Sequence, residues 1–155
     1  MKLHTLLQPE LIQLDLPHGS TEEVLQAIVG QLKREERISN EKLILNKLIE
    51  REKLGSTSIG NHAAVPHTKI KGLKEPILFM GLSRKGIRYH ENDHELVHLI
   101  VLILSPNDSP IIHLQILAAA AAFIKKSENL VKEILSANSA DALIQLVKKY
   151  ENAGQ

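Results

Sequence analysis

The order of apolar and polar positions along the chain changes character twice, from helical to strand-like spacing and back again. Residues 11–16, Leu-Ile-Gln-Leu-Asp-Leu, alternate after their first pair and predict a half-buried strand stopped by Pro17-His18-Gly19. Apolar positions then recur at helical spacing, at Val24, Leu25, Ile28, Val29 and Leu32. Ser20 with Glu23 three residues on is the signature of a capping box, so a first helix is predicted to run to about Glu36. Ser39 is the expected cap of a second helix, with Leu43, Ile44, Lys47 and Leu48 at helical spacing. That helix ends in the charged run Glu50-Arg51-Glu52-Lys53 before Gly55, with Arg51 in its last turn.

Between residues 56 and 104 the spacing is that of strands: Val65 with its neighbours, residues 76–82, a short Ile87-Arg88-Tyr89, and the apolar residues 96–104. The unbroken run Leu99-Ile100-Val101-Leu102-Ile103-Leu104 has no polar side to offer water, so it needs cover on both faces. The predicted fold class is therefore α/β, a mixed central β-sheet flanked by helices on both faces. Ser105-Pro106 is expected to stop the strand. Ser109 and Pro110 then supply the cap and first-turn proline of a helix to about Lys126, with His113 in its first turn and an alanine run at 118–122. Two further amphipathic helices are expected at 128–135 and 140–150, capped by Ser127 and Ser139.

Composition narrows what such a fold can do. A chain of 155 residues, 43% hydrophobic and with formal charge +1, reads as one domain over 1–155 with its core at about 5–150. No apolar run approaches the roughly 20 residues of a membrane span and the start lacks a signal-peptide apolar stretch, which predicts a cytoplasmic protein with no direct membrane insertion. There is no cysteine, so disulfides, a thiolate nucleophile and thiolate metal sites are excluded. Basic residues are interspersed with glutamate, and two tyrosines and two phenylalanines offer little stacking surface, which argues against nucleic acid as a partner. Chemistry must rest on oxygen and nitrogen groups, and eight histidines are available.

One of them is placed with care. In Gly60-Asn61-His62-Ala63-Ala64-Val65-Pro66-His67 a glycine turn, a short apolar strand and a proline lead to His67. Proline fixes its own φ and pushes the preceding residue toward extended geometry, so the imidazole is expected to leave the strand at a chain bend in a defined direction.

This segment, preceded by Arg51-Glu52-Lys53-Leu54-Gly55-Ser56-Thr57 and followed by His113-Leu114-Gln115-Ile116-Leu117, resembles the enzyme IIA component of bacterial phosphotransferase systems. The resemblance is to the fructose, mannitol and nitrogen-regulatory superfamily, and covers nearly the whole chain. It implies that His67 is the phosphorylated residue, His113 its orienting partner or a hydrogen-bond donor to the phosphoryl group, and Arg51 the charge facing that group. Gly60 and Asn61 are implied on the substrate side, and no cofactor or metal is implied. It further implies a donor of the phospho-HPr type and a separate acceptor, either an enzyme IIB or a regulated protein. The run 54–61 looks closest to the nitrogen-regulatory branch; a IIA subunit of a fructose- or mannitol-type transporter is the second reading. Where the family usually has glycine this chain has His62, so altered loop geometry or charge beside His67 is expected.

The residue types suit that chemistry. A neutral imidazole, with an ordinary pKa near 6.5, is a nucleophile at neutral pH without a dedicated base. Phosphoryl transfer then needs mainly positioning and charge stabilisation, which a forked guanidinium and a helix N-terminus supply. A reading of another class comes from His94-Glu95-Leu96-Val97-His98, which fits the zinc-protease pattern H-E-x-x-H. That pattern needs helix. In the strand predicted here, positions four apart lie about 13 Å from each other, too far to share one zinc.

Overall fold

Two long strands organise the molecule, and the alternation of side chains along them decides what each helix covers. The computed structural model describes residues 1–90, 93, 95–126 and 128–153. The strands are β1 (Ile12–Gln13), β2 (Ser58–Gly60), β3 (Ala63–Ala64), β4 (His67–Ile70), β5 (Ile77–Ile87) and β6 (Val97–Pro106). The helices are α1 (Thr21–Arg34), α2 (Glu41–Lys53), α3 (Pro110–Ile124), α4 (Leu130–Ile134) and α5 (Ala140–Asn152).

Strand β6 is central. It runs antiparallel to β5, with Leu78 opposite Ile103 and Met80 opposite Val101. Its other edge pairs in parallel first with β3, Ala63 opposite Leu99, and then with β4, His67 opposite Ile103. Strand β1 adds in parallel outside β5, and β2 antiparallel outside β3, so the sheet is mixed. Leu99, Val101 and Ile103 pack with Ile116 and Phe123 of α3, Leu130 and Ile134 of α4 and Leu143 and Val147 of α5. Ile100, Leu102 and Leu104 pack instead with Val24, Ile28 and Leu32 of α1 and Ile44 and Leu48 of α2. Each such side chain withdrawn from water contributes about 1.5–3 kcal/mol of gross stabilisation, which is why a strand apolar on both faces recruits helices to both. The predicted single α/β domain is what forms.

Local signals held where the partner was local. Ser20 and Glu23 form the capping box of α1, and the Ser139 hydroxyl accepts from the Ala142 N–H at the start of α5. The cap of α2 is Asn40 rather than Ser39: its side chain accepts from the Leu43 N–H at 3.1 Å, and asparagine ranks with the strongest caps. Ser109 occupies the cap position of α3 without a side-chain cap bond, Pro110 fills the first turn, and α4 follows Asn129; Ser127, its expected cap, lies outside the described residues.

Strand boundaries moved. Of residues 11–16 only Ile12 and Gln13 form the ladder, opposite Met80 and Gly81, because Leu11 completes a 3₁₀ turn begun by Pro9 and the chain bends at Leu14 and Asp15; beyond the bend the Leu16 N–H still donates to the Leu82 carbonyl at 2.8 Å. The segments expected at 76–82 and 87–89 are one strand, β5, with a register shift between Leu82 and Ile87 where Gly86 takes φ +88°. Strand β6 continues through Ser105 to Pro106, since Ser105 still pairs with Lys69. His67 does not stand at a bend after a strand; it opens β4. Pro66 lacks an N–H for the ladder, so pairing breaks there and resumes at His67 on the same edge of β6.

Candidate active site

His67, His113 and Arg51 come from three elements that meet at the carboxyl end of β6. Strand β4 brings His67 opposite Ile103, and β6 continues to Ser105 before the chain turns into α3, whose first turn carries His113. The two imidazole rings lie with centroids 5.5 Å apart, tilted by 51°. Arg51, in the last turn of α2, is close enough for its charge to act on the His67 ring, and its Nη1 donates to the Gly55 carbonyl at 2.9 Å.

The state of His67 follows from one contact. Its Nδ1 lies 2.7 Å from the Val65 carbonyl oxygen, which can only accept, so Nδ1 carries the proton and Nε2 keeps the lone pair. Burial lowers the pKa of His67 below its ordinary 6.5; the hydrogen bond to Val65 opposes that, the Arg51 charge adds to it, and Glu52 opposes it. His113 is only 7% exposed and its pKa is also lowered, by burial first and then by His67 and Lys69. Its Nδ1 is 2.7 Å from the Ser105 hydroxyl, which holds the ring plane between sheet and helix. Lys69 shares the face of β4 with His67, two residues on, and adds a second cation to this end of the sheet. The result is a neutral, proton-defined imidazole beside the Arg51 guanidinium held by Gly55, the exposed Lys69 and the free N–H groups of a helix start, a frame for an anion.

Gly60 and Asn61 stand apart from this group. Asn61 and His62, with φ +53° and +60°, are the central residues of the tight turn joining β2 to β3. The turn precedes Ala63, whose partner Leu99 lies four residues along β6 from the partner of His67, or about 13 Å. The Asn61 amide donates to the Ile124 carbonyl at the far end of α3. The expected disturbance from His62 is likewise local to that turn: its Nδ1–H donates to the Leu96 carbonyl at 2.9 Å and its ring meets that of His98 at 5.7 Å. For the zinc-protease spacing, His94 lies outside the described residues, and His98 belongs to strand β6, with its Nδ1 on the Ser83 carbonyl. The helix that spacing needs is not formed by residues 97–106.

Four residues near the site were passed over in the sequence. Glu52 is 5% exposed and binds Thr57, Tyr89 and His90, and Ser105 is fully buried against His113. A signal for Glu52 existed: Ile44, Leu48 and Glu52 follow one another at i, i+4 and i+8, so a carboxylate sits on the buried stripe of α2. For Ser105, Thr57 and Tyr89 no such signal exists, since their partners lie 5 to 37 residues away, outside any one helix or strand pattern.

Comparison with known proteins shows the family and the fold. Residues 5–150 match the family model described as phosphoenolpyruvate-dependent sugar phosphotransferase system, EIIA 2. A nitrogen regulatory protein of Pseudomonas aeruginosa is 31% identical over 153 residues, covering 98% of each chain. A fructose-specific EIIABC component of Bacillus subtilis is 26% identical over 97% of this chain, which spans 24% of that longer protein. The crystal structure of the nitrogen regulatory protein IIA-Ntr of Neisseria meningitidis superposes with a TM-score of 0.84 at 25% identity, over 94% of this chain and 98% of that one.

Proposed function

The chain belongs to the EIIA 2 family of the phosphoenolpyruvate-dependent sugar phosphotransferase system, and from that premise we propose that it is a phosphocarrier whose reacting atom is Nε2 of His67. The observation that carries this is the 2.7 Å contact from His67 Nδ1 to the Val65 carbonyl, which leaves Nε2 unprotonated beside Arg51 and His113. The donor is a phosphohistidine protein of the HPr type. Its P–N bond breaks as the bond from phosphorus to Nε2 forms, and the donor imidazole leaves with the electron pair. Positive charge that develops on the His67 ring is met by the Nδ1–H···O=C bond to Val65 and by the Glu52 carboxylate. Charge on the phosphoryl oxygens is met by Arg51 and the start of α3. Arg51 and His113 are flanked by exposed apolar side chains, Leu54 at 86% and Ile111 at 70%, which suits a protein rather than a small molecule as donor and acceptor.

The acceptor is a protein or a protein domain. The 31% identity to a nitrogen regulatory protein over the full length of both favours a regulatory role governed by the phosphorylation state of His67, acting in the cytoplasm. The second reading, a IIA unit passing the group to a sugar-transport IIB, is favoured by the fructose-specific relative. Intact-mass analysis after mixing with a phosphorylated HPr-type protein is expected to show one acid-labile phosphoryl group, absent from His67→Gln. No transfer to the wild-type chain would overturn the proposal. Rapid onward transfer to a IIB cysteine would move the assignment to the transport branch.

A further inference from the structure

We infer that Glu52 is a positioning residue for phosphoryl transfer, setting the orientation of both His67 and Arg51 through the loop it grips. The inference rests on His67 being the phosphoryl acceptor. Glu52 faces inward from the last turn of α2, next to Arg51, and its buried carboxylate is fully occupied. Oε2 accepts from the Thr57 N–H at 3.1 Å and the His90 Nε2–H at 2.9 Å. Oε1 accepts from the Tyr89 hydroxyl at 2.5 Å and from the Thr57 hydroxyl.

From Thr57 two arms lead to the site. In the first, the Thr57 carbonyl accepts from the Val65 N–H at 3.0 Å, and the Val65 carbonyl accepts from His67 Nδ1–H at 2.7 Å. Each bond fixes the peptide that makes the next, so the carboxylate of Glu52 and the ring of His67 are joined by an unbroken series of hydrogen bonds. In the second, the stretch between Glu52 and Thr57 is closed from both ends. The Gly55 N–H donates to the Glu52 carbonyl at 3.1 Å while the Glu52 side chain holds Thr57, and the Gly55 carbonyl thus held accepts from Arg51 Nη1. Gly55 takes φ +152° with open space around it, a conformation the local chain has no side chain to enforce. The anchor for that conformation is Glu52.

A carboxylate is needed because all four partners donate. Glutamine is nearly isosteric, but its NH₂ would face one of those donors, so Glu52→Gln keeps the shape and breaks the pattern. The test uses the full chain with a phosphorylated HPr-type protein as donor. Glu52→Gln is expected to lower the transfer rate constant roughly 10- to 100-fold, the scale of a misplaced reacting group. Thr57→Val should fall in the same range and Thr57→Ser should recover most of it. Imidazole ¹⁵N spectra should show His67 changing from a single Nδ1–H tautomer to a mixture in Glu52→Gln, with its pKa moving lower as the opposing negative charge is lost. Backbone amide spectra identify any variant that fails to fold, and the Thr57 pair then carries the comparison. Glu151→Ala, which disturbs an unrelated buried carboxylate, controls for lost stability alone.

Unchanged transfer and an unchanged His67 tautomer in Glu52→Gln and Thr57→Val would overturn the inference. Equal losses in Glu151→Ala would overturn it too, since a general effect of stability would then explain the result. If the wild-type chain accepts no phosphoryl group while the His67 tautomer still shifts in Glu52→Gln, Glu52 orients the His67 ring but the phosphocarrier reading falls, and the role in transfer falls with it.

Discussion

A single proton placement at His67 links its reactivity to pH. Unfolded, its imidazole titrates near 6.5; folded, burial lowers that value, with Arg51 acting in the same direction. Between the lowered value and 6.5 the unfolded chain binds more protons than the folded one, so stability falls as pH falls through that window and is fully present above it. His113 shifts in the same direction and adds to the slope. The proposed transfer requires the Nε2 lone pair, so its rate should stay level as pH drops past 6.5 and decline only at the lower folded value. NMR titration of the His67 ring, alongside the pH–rate profile, checks this; a midpoint at or above 6.5 would contradict it. Motif order in the sequence singled out His67, His113 and Arg51, and the fold brings these three together. Ser105 was not, because its role depends on a histidine eight residues away across a turn.

Elements differ in how much of their definition is local. Helix α1 carries its own start signal in Ser20 and Glu23 and its own buried stripe, and it forms as read. The strands do not, because a strand is bounded by what its neighbour offers. The first strand shrank to two residues because the chain bends at Leu14 and Asp15, and β4 was unrecognised until β6 gave His67–Ile70 a register. Close approach between elements is a further non-local condition. At Gly81 an added Cβ would stand 3.0 Å from Leu16 Cγ and 3.2 Å from Phe79 Cε1, where the 14–16 segment crosses β5. Gly81→Ala is therefore expected to cost about 1–3 kcal/mol by overpacking, read as a lower urea midpoint with an unchanged slope.

Across the whole molecule, the chain start is tied to α5 by Glu151. Its buried carboxylate accepts from the Leu3 N–H at 2.6 Å, the His4 N–H at 2.8 Å and His4 Nδ1–H at 2.8 Å. Glu151→Ala leaves these donors without their acceptor, with an expected loss of about 2–3 kcal/mol in denaturant unfolding. Transfer should be unaffected. Lys126 Nζ donates to Ala153, so the end of α5 lies by the end of α3, and His113 is eleven residues, about 16 Å, back along that helix from Ile124. What the sequence alone determined was whatever repeats within a few residues or travels as an ordered motif: helix stripes and caps, a doubly apolar strand demanding helices on both sides, and the motif order that singles out His67, His113 and Arg51. Only the tertiary structure decided strand limits, the distance of Gly60 and Asn61 from His67, and the contacts of Glu52. Those depend on pairing and hydrogen-bond geometry between segments far apart in the chain, and no local periodicity encodes such distances.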